Sequence, residues 1–247
     1  MISSLWHTIV YKPLYNILIL LVGILPGNSV GGAIILLTLF VKIMLYPLTG
    51  KSIRAQRQMR ELEPHLKRIR EEHKDDKQKQ AKHTMELYQQ HKVTPLSGCL
   101  PVLIQIPIII GLYWVFLKGL KVIDTSILYN FVGVPGVLDM HFLMFDLAQK
   151  SIVLALLAGG TQFIQTHISL GKQPPLPPVS TEKGSFQEDF ARSMQMQMRY
   201  ILPVMIGFIA YRTAGAVALY WATSNILSII QELLMRPQAK MEQQKAN

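Results

Sequence analysis

The sequence predicts an all-α integral membrane protein: five transmembrane helices around a hydrophilic groove, with an N-terminal interfacial helix and a cytoplasmic helical hairpin. Three observations carry this reading. Half of the 247 residues are hydrophobic, and they are gathered in blocks of spanning length, as in membrane proteins. Of the 25 Lys and Arg, twelve lie between Lys51 and Lys92. A basic block beside spanning helices marks a cytoplasmic loop. Finally, the apolar run Ile34–Thr49 carries a single cation, Lys42, near its middle. A lysine there costs roughly 2.5–3.5 kcal/mol on insertion scales, so the rest of the chain must supply water, a polar partner or a task for the charge.

Residues 1–28 read as an interfacial amphipathic helix, since the apolar part from Leu14 to Leu25 is short for a span and Trp6, Tyr11 and Tyr15 suit headgroup depth. A full span is the alternative and would place the N-terminus on the other side. Pro26-Gly27-Asn28 ends the segment. No basic n-region or small-residue cleavage site stands at the start, so no removable signal peptide is expected. Residues 29–50 form the first span, just long enough at about 1.5 Å per residue for a ~30 Å hydrocarbon core.

From 51 to 93 the composition becomes charged. Ala55, Met59, Leu62, Leu66 and Ile69 recur at helical spacing, Asp75-Asp76 marks a turn, and Ala81, Met85 and Tyr88 repeat the spacing on the return. This predicts an antiparallel cytoplasmic hairpin, with Pro64 kinking or breaking its first helix. Its bases are interleaved with Glu61, Glu63, Glu71, Glu72 and Asp75. A solvated coiled-coil surface and a docking surface for lipid, RNA or a nascent chain are both open.

Residues 94–118 read as the second span, with Pro95, Pro101 and Pro107 along it. An extracytoplasmic loop follows at 119–148, then a third span at 149–170. A Pro-rich cytoplasmic loop at 171–196 contains Pro174-Pro-Leu-Pro-Pro178. The fourth and fifth spans cover 197–213 and 214–236, and a short tail at 237–247 ends the chain. The charge distribution places the N-terminus outside and the C-terminus in the cytoplasm.

The polar residues within spans are the chemically informative ones. Besides Lys42 they include Gln105, then Thr161, Gln162, Gln165, Thr166 and His167, then Tyr220, Trp221, Ser224, Asn225 and Ser228. On the last helix, spacings of four read as one polar stripe. Either these groups line a hydrated groove around Lys42, or they hydrogen-bond helices together. No Asp or Glu falls in the middle of a span, and Glu232 sits near an end. A proton- or sodium-coupled transporter usually places a carboxylate at midplane. The seven histidines lack ligand spacing, so no metal is expected, and no cofactor. Gly50-Lys51-Ser52 lacks the earlier glycine and the strand of a phosphate loop. The single cysteine, Cys99, forms no intramolecular disulfide and reads as a packing residue. No nucleophile–base pair points to an enzyme.

Tyr46-Pro-Leu-Thr49, Thr94-Pro-Leu-Ser-Gly-Cys-Leu-Pro-Val-Leu-Ile-Gln-Ile-Pro-Ile108 and Leu219-Tyr-Trp-Ala-Thr-Ser-Asn225 resemble signature stretches of the YidC membrane-protein insertases, of the YidC/Oxa/Alb superfamily. Their order and spacing match as well, with Asp75-Asp76-Lys77 and Phe145-Asp146-Leu147 between them. The resemblance covers nearly the whole chain. It implies five core spans around a groove open to the cytoplasm and the lipid but closed outside, in a bacterial plasma membrane. It also implies a groove cation at Lys42, and groove positions at Gln105, Gln165, Trp221, Ser224 and Asn225; the polar stripe of the last helix adds Tyr220 to these candidates. The implied partners are nascent membrane-protein substrates, the bilayer and the SecYEG translocon, with the ribosome and signal recognition particle machinery; no specific nucleic acid is implied. Three departures stand out. The family cation is typically arginine; lysine keeps the charge but loses the bidentate fork. The chain resembles a short bacterial form, without the large periplasmic domain or lipid-modified cysteine of other members. The tail is only mildly basic. A small-solute or anion transporter or channel, with Lys42 as its selectivity charge, is the alternative function.

Overall fold

A π turn, His7–Tyr11, runs without a break into helix α1, Lys12–Ile24. The computed structural model describes residues 5–74, 76–93, 100–116, 123–171, 193 and 196–246. Leu14, Tyr15, Leu18, Ile19 and Val22 bury one side of α1 at helical spacing. The buried Asn16 is satisfied, donating to the carbonyls of Lys12 at 2.8 Å and Ile127 at 3.0 Å and accepting from Tyr129 N–H at 2.6 Å. That network ties α1 to the loop at 123–148. Gly27, with φ of 70°, turns the chain into the next helix.

Helix α2 runs from Val30 to Glu61, with Ser29 accepting from Gly32 N–H at its N-cap. The composition change at Lys51 does not end it. At 1.5 Å per residue it is roughly 48 Å long, so its last third extends beyond a hydrocarbon core. Pro47 lies inside it, and the Thr49 hydroxyl bonds back to the Leu45 carbonyl at 2.9 Å. A break at Leu62, just ahead of Pro64, separates α2 from α3, Glu63–Glu72. Helix α4, Lys77–Gln90, returns alongside, capped by Asp76, whose carboxyl accepts from Lys79 N–H at 3.0 Å. That bond holds the Asp76 carboxyl below the usual carboxylate range. Leu62 and Leu66 are buried as their spacing predicts.

The return helix is phased differently from the expectation. Gln80 is its buried residue, while Ala81 is exposed and Met85 is 52% exposed. The expected row followed apolarity, and ring contacts also join the two arms: His73 stacks on His83 at 4.7 Å and His65 lies 6.5 Å from His91, just past the end of α4. Asp75 and the Thr94–Cys99 part of the second signature lie outside the described residues.

Helix α5, Leu100–Trp114, contains Pro107. In the loop that follows, a two-residue hairpin, β1 (His141–Phe142) and β2 (Phe145–Asp146), pairs His141 with Asp146 and Phe142 with Phe145. Helix α6, Ile152–Leu170, starts at a Ser151 cap. The Pro-rich stretch from 172 to 192 lies outside the described residues. A π turn, Gln197–Ile201, leads into α7, Leu202–Arg212, and after a turn at Thr213-Ala214 helix α8 runs from Gly215 to Ala246.

Helix α8 packs against α6 and α2, and α6 packs against α7. Where α6 crosses α7, a Cβ on Gly159 would stand 3.3 Å from Gly207 Cα, so backbones meet at that crossing. The core joins Leu18, Leu37, Leu112, Leu147, Ala158 and Trp221, drawing on every apolar helix and the loop. Among the described residues, three helices can cross a membrane by length and composition: His7–Ile24, Val30–Glu61 and Ile152–Leu170. The first of these was read from sequence as interfacial; its length suits either placement. Helix α8 falls outside this set because polar residues recur along it.

Candidate functional site

The polar residues of the apolar helices fall into two seams on either side of α8. The first lies between α8, α2 and α5. Lys42 reaches from α2 to Ser228, donating to its hydroxyl at 2.7 Å, and Ser228 in turn bonds the Ser224 carbonyl at 2.9 Å. One turn further, Gln105 of α5 donates to the Tyr220 hydroxyl, which also has Ser224 as a hydrogen-bonding partner. Tyr220, Ser224 and Ser228 share one face because residues four apart in a helix do. Towards the other end, Gln231 donates to Thr49 Oγ1 at 2.7 Å and to the Tyr46 carbonyl at 3.3 Å. The seam thus runs along the α2–α8 contact with the half-buried Lys42 within it. Among the described residues no carboxylate neutralises Lys42; the contact that holds it is a neutral hydroxyl.

The second seam lies between α8 and α6. Asn225 donates to the Ala158 carbonyl at 3.3 Å and to Thr161 Oγ1 at 3.2 Å. Gln162 donates to Gln165 and Thr166, and Gln165 donates to Ser169 at 3.0 Å. Ser169 donates to the buried Glu232 carboxylate. Arg60, from the extension of α2, approaches the same carboxylate to 4.0 Å. Arg57 donates to the main-chain carbonyls of Glu232 at 3.1 Å and Met235 at 2.9 Å.

Of the seven positions singled out from sequence, the structure brings Lys42, Gln105, Tyr220 and Ser224 into one seam. Gln165 and Asn225 lie in the other, and Trp221 is buried in the apolar core. The single stripe read on α8 is therefore two. Neighbouring residues on a helix point about 100° apart, so Tyr220 and Trp221 cannot share a face. Ser228 belonged to the stripe but not to the site positions, although continuing the spacing of four from Ser224 reaches it. Arg57, Arg60, Ser169 and Gln231 carried no signal, because their partners depend on where α2 ends and how α6 meets α8.

These features define an all-helical membrane protein with a cationic side chain held in a polar seam between its helices. The model of the family described as 60Kd inner membrane protein matches residues 21–244, and the chain belongs to that family. It is 38% identical over 213 residues to a protein of Francisella philomiragia named membrane protein insertase YidC; the match covers 85% of this chain and 33% of that relative. A protein of Francisella tularensis subsp. novicida with the same name matches with the same identity and coverage. The chain thus spans about a third of the length of the curated relatives it matches.

Proposed function

We propose that this protein is a membrane-protein insertase and chaperone, inserting and helping to fold membrane proteins alone or with the SecYEG translocon. The observation that carries this reading is Lys42, held in a polar seam by a hydroxyl with no carboxylate against it among the described residues. A cation placed so keeps its charge available for an incoming acid. Five spans cross the bilayer, with the N-terminus outside and the hairpin and C-terminus in the cytoplasm. The seam around Lys42, Gln105, Tyr220 and Ser224 is the wall of a hydrophilic groove that admits water partway into the membrane.

Lys42 binds acidic residues in the short translocated end of a substrate. The substrate's hydrophobic segment then leaves the groove for lipid, gaining roughly 25 cal/mol per Å² of apolar surface buried. A charge-assisted contact of about 1.5–3 kcal/mol holds the substrate and still releases it. No covalent step is needed, so the protein acts without catalytic chemistry. The hairpin receives substrate or the targeting machinery, the ribosome and signal recognition particle among them. No observation favours the transporter reading.

The test is insertion of a single-span substrate with an acidic translocated end into proteoliposomes, by wild type, Lys42→Arg and Lys42→Ala. Insertion is expected to survive in Lys42→Arg. It falls about ten- to a hundredfold in Lys42→Ala, as loss of a charge-assisted contact requires. The fall should vanish when the substrate's acids are neutralised. Equal insertion by all three proteins would sink the electrostatic role of Lys42.

A further inference from the structure

The loop between α5 and α6 carries apolar side chains on both of its faces, with Asn130 and His141 among its exposed polar residues. Its inner face is accounted for: Val132 and Leu147 are buried, and Tyr129, Leu138, Met140 and Phe142 pack on the core. Among the described residues, nothing covers the outer face. Phe131 is 74% exposed, Val137 77%, Leu143 83% and Met144 85%. A loop bathed in water would carry polar groups there. The two acids between 128 and 147 are each turned onto the local backbone, Asp139 accepting from His141 N–H and Asp146 from Ala148 N–H.

The backbone at the hairpin tip sharpens the point. Leu143 has φ of 54°, in the left-handed region that favours glycine or asparagine. A leucine stands at a position that suits it poorly, and among the described residues its side chain is left 83% exposed. No packing there rewards it.

The position of the loop identifies what does. Asp139 exchanges main-chain bonds with Asn28 and Val30 at the start of α2, at 3.1 and 3.0 Å. Gly215 and Ala216, at the start of α8, donate to the carbonyls of Gln149 and Leu147 at 2.8 and 3.0 Å. A Cβ on Gly31 would lie 2.6 Å from Phe142 Cβ, so the Phe142 side chain sits directly on α2. The loop is thus pinned level with the N-terminal ends of α2, α6 and α8. There the bilayer's hydrocarbon gives way to headgroups. The exposed apolar surface continues into α6, where Ile152, Val153 and Leu156 are exposed.

We propose that this loop is a lipid anchor, its tip Leu143-Met144 with Phe131 and Val137 seated in the acyl–headgroup boundary beside the N-terminal ends of α2, α6 and α8. Anchoring there fixes that end of the helix bundle against the leaflet. The proposal does not depend on the insertase reading.

The test places an environment-sensitive fluorophore on Met144→Cys, in a Cys99→Ser background, with Lys150→Cys as the exposed polar comparison. The full chain is reconstituted in phosphatidylethanolamine–phosphatidylglycerol vesicles. The label at 144 should emit to the blue, be quenched by a nitroxide high on the acyl chain and resist aqueous iodide; the label at 150 should do the reverse. Iodide quenching at 144 equal to that at 150 overturns the proposal. Protection from both quenchers also overturns it, because the tip is then covered by protein, a second copy or a bound segment. In a second variant, Leu143→Asn suits the left-handed tip. It should leave thermal stability in detergent unchanged or higher while weakening nitroxide quenching at 144. A loss of stability with unchanged quenching would make Leu143 a structural residue and refute its role as an anchor.

Discussion

Glu232 is the carboxylate on which α2, α6 and α8 converge, and its removal has a computable effect. Its side chain is 4% exposed and that of Arg60 28%, with 4.0 Å between Arg60 Nη2 and Glu232 Oε1. Two unit charges at that separation interact by about 4 kcal/mol at an effective dielectric of ~20 and about 1 kcal/mol in water. Arg60 keeps partial access to solvent, so the net coupling should fall at ~1–2 kcal/mol. Ser169 donates a second, charge-assisted bond to the same carboxylate, worth about 1.5–3 kcal/mol. Glu232→Gln keeps an acceptor for Ser169 but removes the charge, so it should cost about 1–2 kcal/mol. Glu232→Ala removes both and should cost about 3 kcal/mol or more. Unfolding in detergent micelles measures these losses. A double-mutant cycle of Arg60→Gln with Glu232→Gln isolates the pair. Coupling below about 0.5 kcal/mol, the usual additivity error, would refute the claim that this ion pair fastens the α2 extension to α8.

Gly159→Leu should lower stability by about 1–3 kcal/mol, because a side chain there meets the Gly207 backbone. Gly160→Leu, with nothing within 4 Å of the added Cβ, should be neutral, and thermal unfolding in micelles compares the two. The Asp76 cap should be pH-dependent with a defined sign. Its carboxyl is held below the usual range by Lys79 N–H, so its support for α4 is complete above about pH 4 and fades as pH falls through the depressed value. Amide exchange at Lys79, followed through that range in wild type and in Asp76→Ala, checks this; an equal pH response in both proteins would contradict it.

What could be read from the sequence follows from which signals are local. Apolar blocks, the lysine within one of them and the spacing of four on α8 are each contained in a single segment, and each has a direct structural counterpart. The misplaced features depend on phase or on partners. On α4 the buried position is Gln80 rather than Ala81, one residue away, a difference that apolarity alone does not detect. Asn225 turns to α6 while Ser224 stays in the Lys42 seam, because adjacent residues diverge by about 100°. The exposed leucine and methionine of the loop at 119–148 give no signal in the sequence, since they look like core residues until the core is seen to be complete without them.

The shift from apolar to charged composition at Lys51 falls within a continuous helix, because composition is not a stop signal. No glycine in a left-handed turn and no proline after a cap stands there, so α2 runs on to Glu61. That continuity changes the mechanics. Lys42 and Arg57 lie on the same helix, roughly 22 Å apart along its axis by helical rise, and each is bonded to α8, through Ser228 at one level and the Glu232 and Met235 carbonyls at the other. A load on the α3–α4 hairpin therefore has to bend α2 or break the Arg57 and Arg60 contacts before it can displace Lys42. Pro47, which lies between the two attachment points and lacks an N–H for the helical ladder, is where bending costs least.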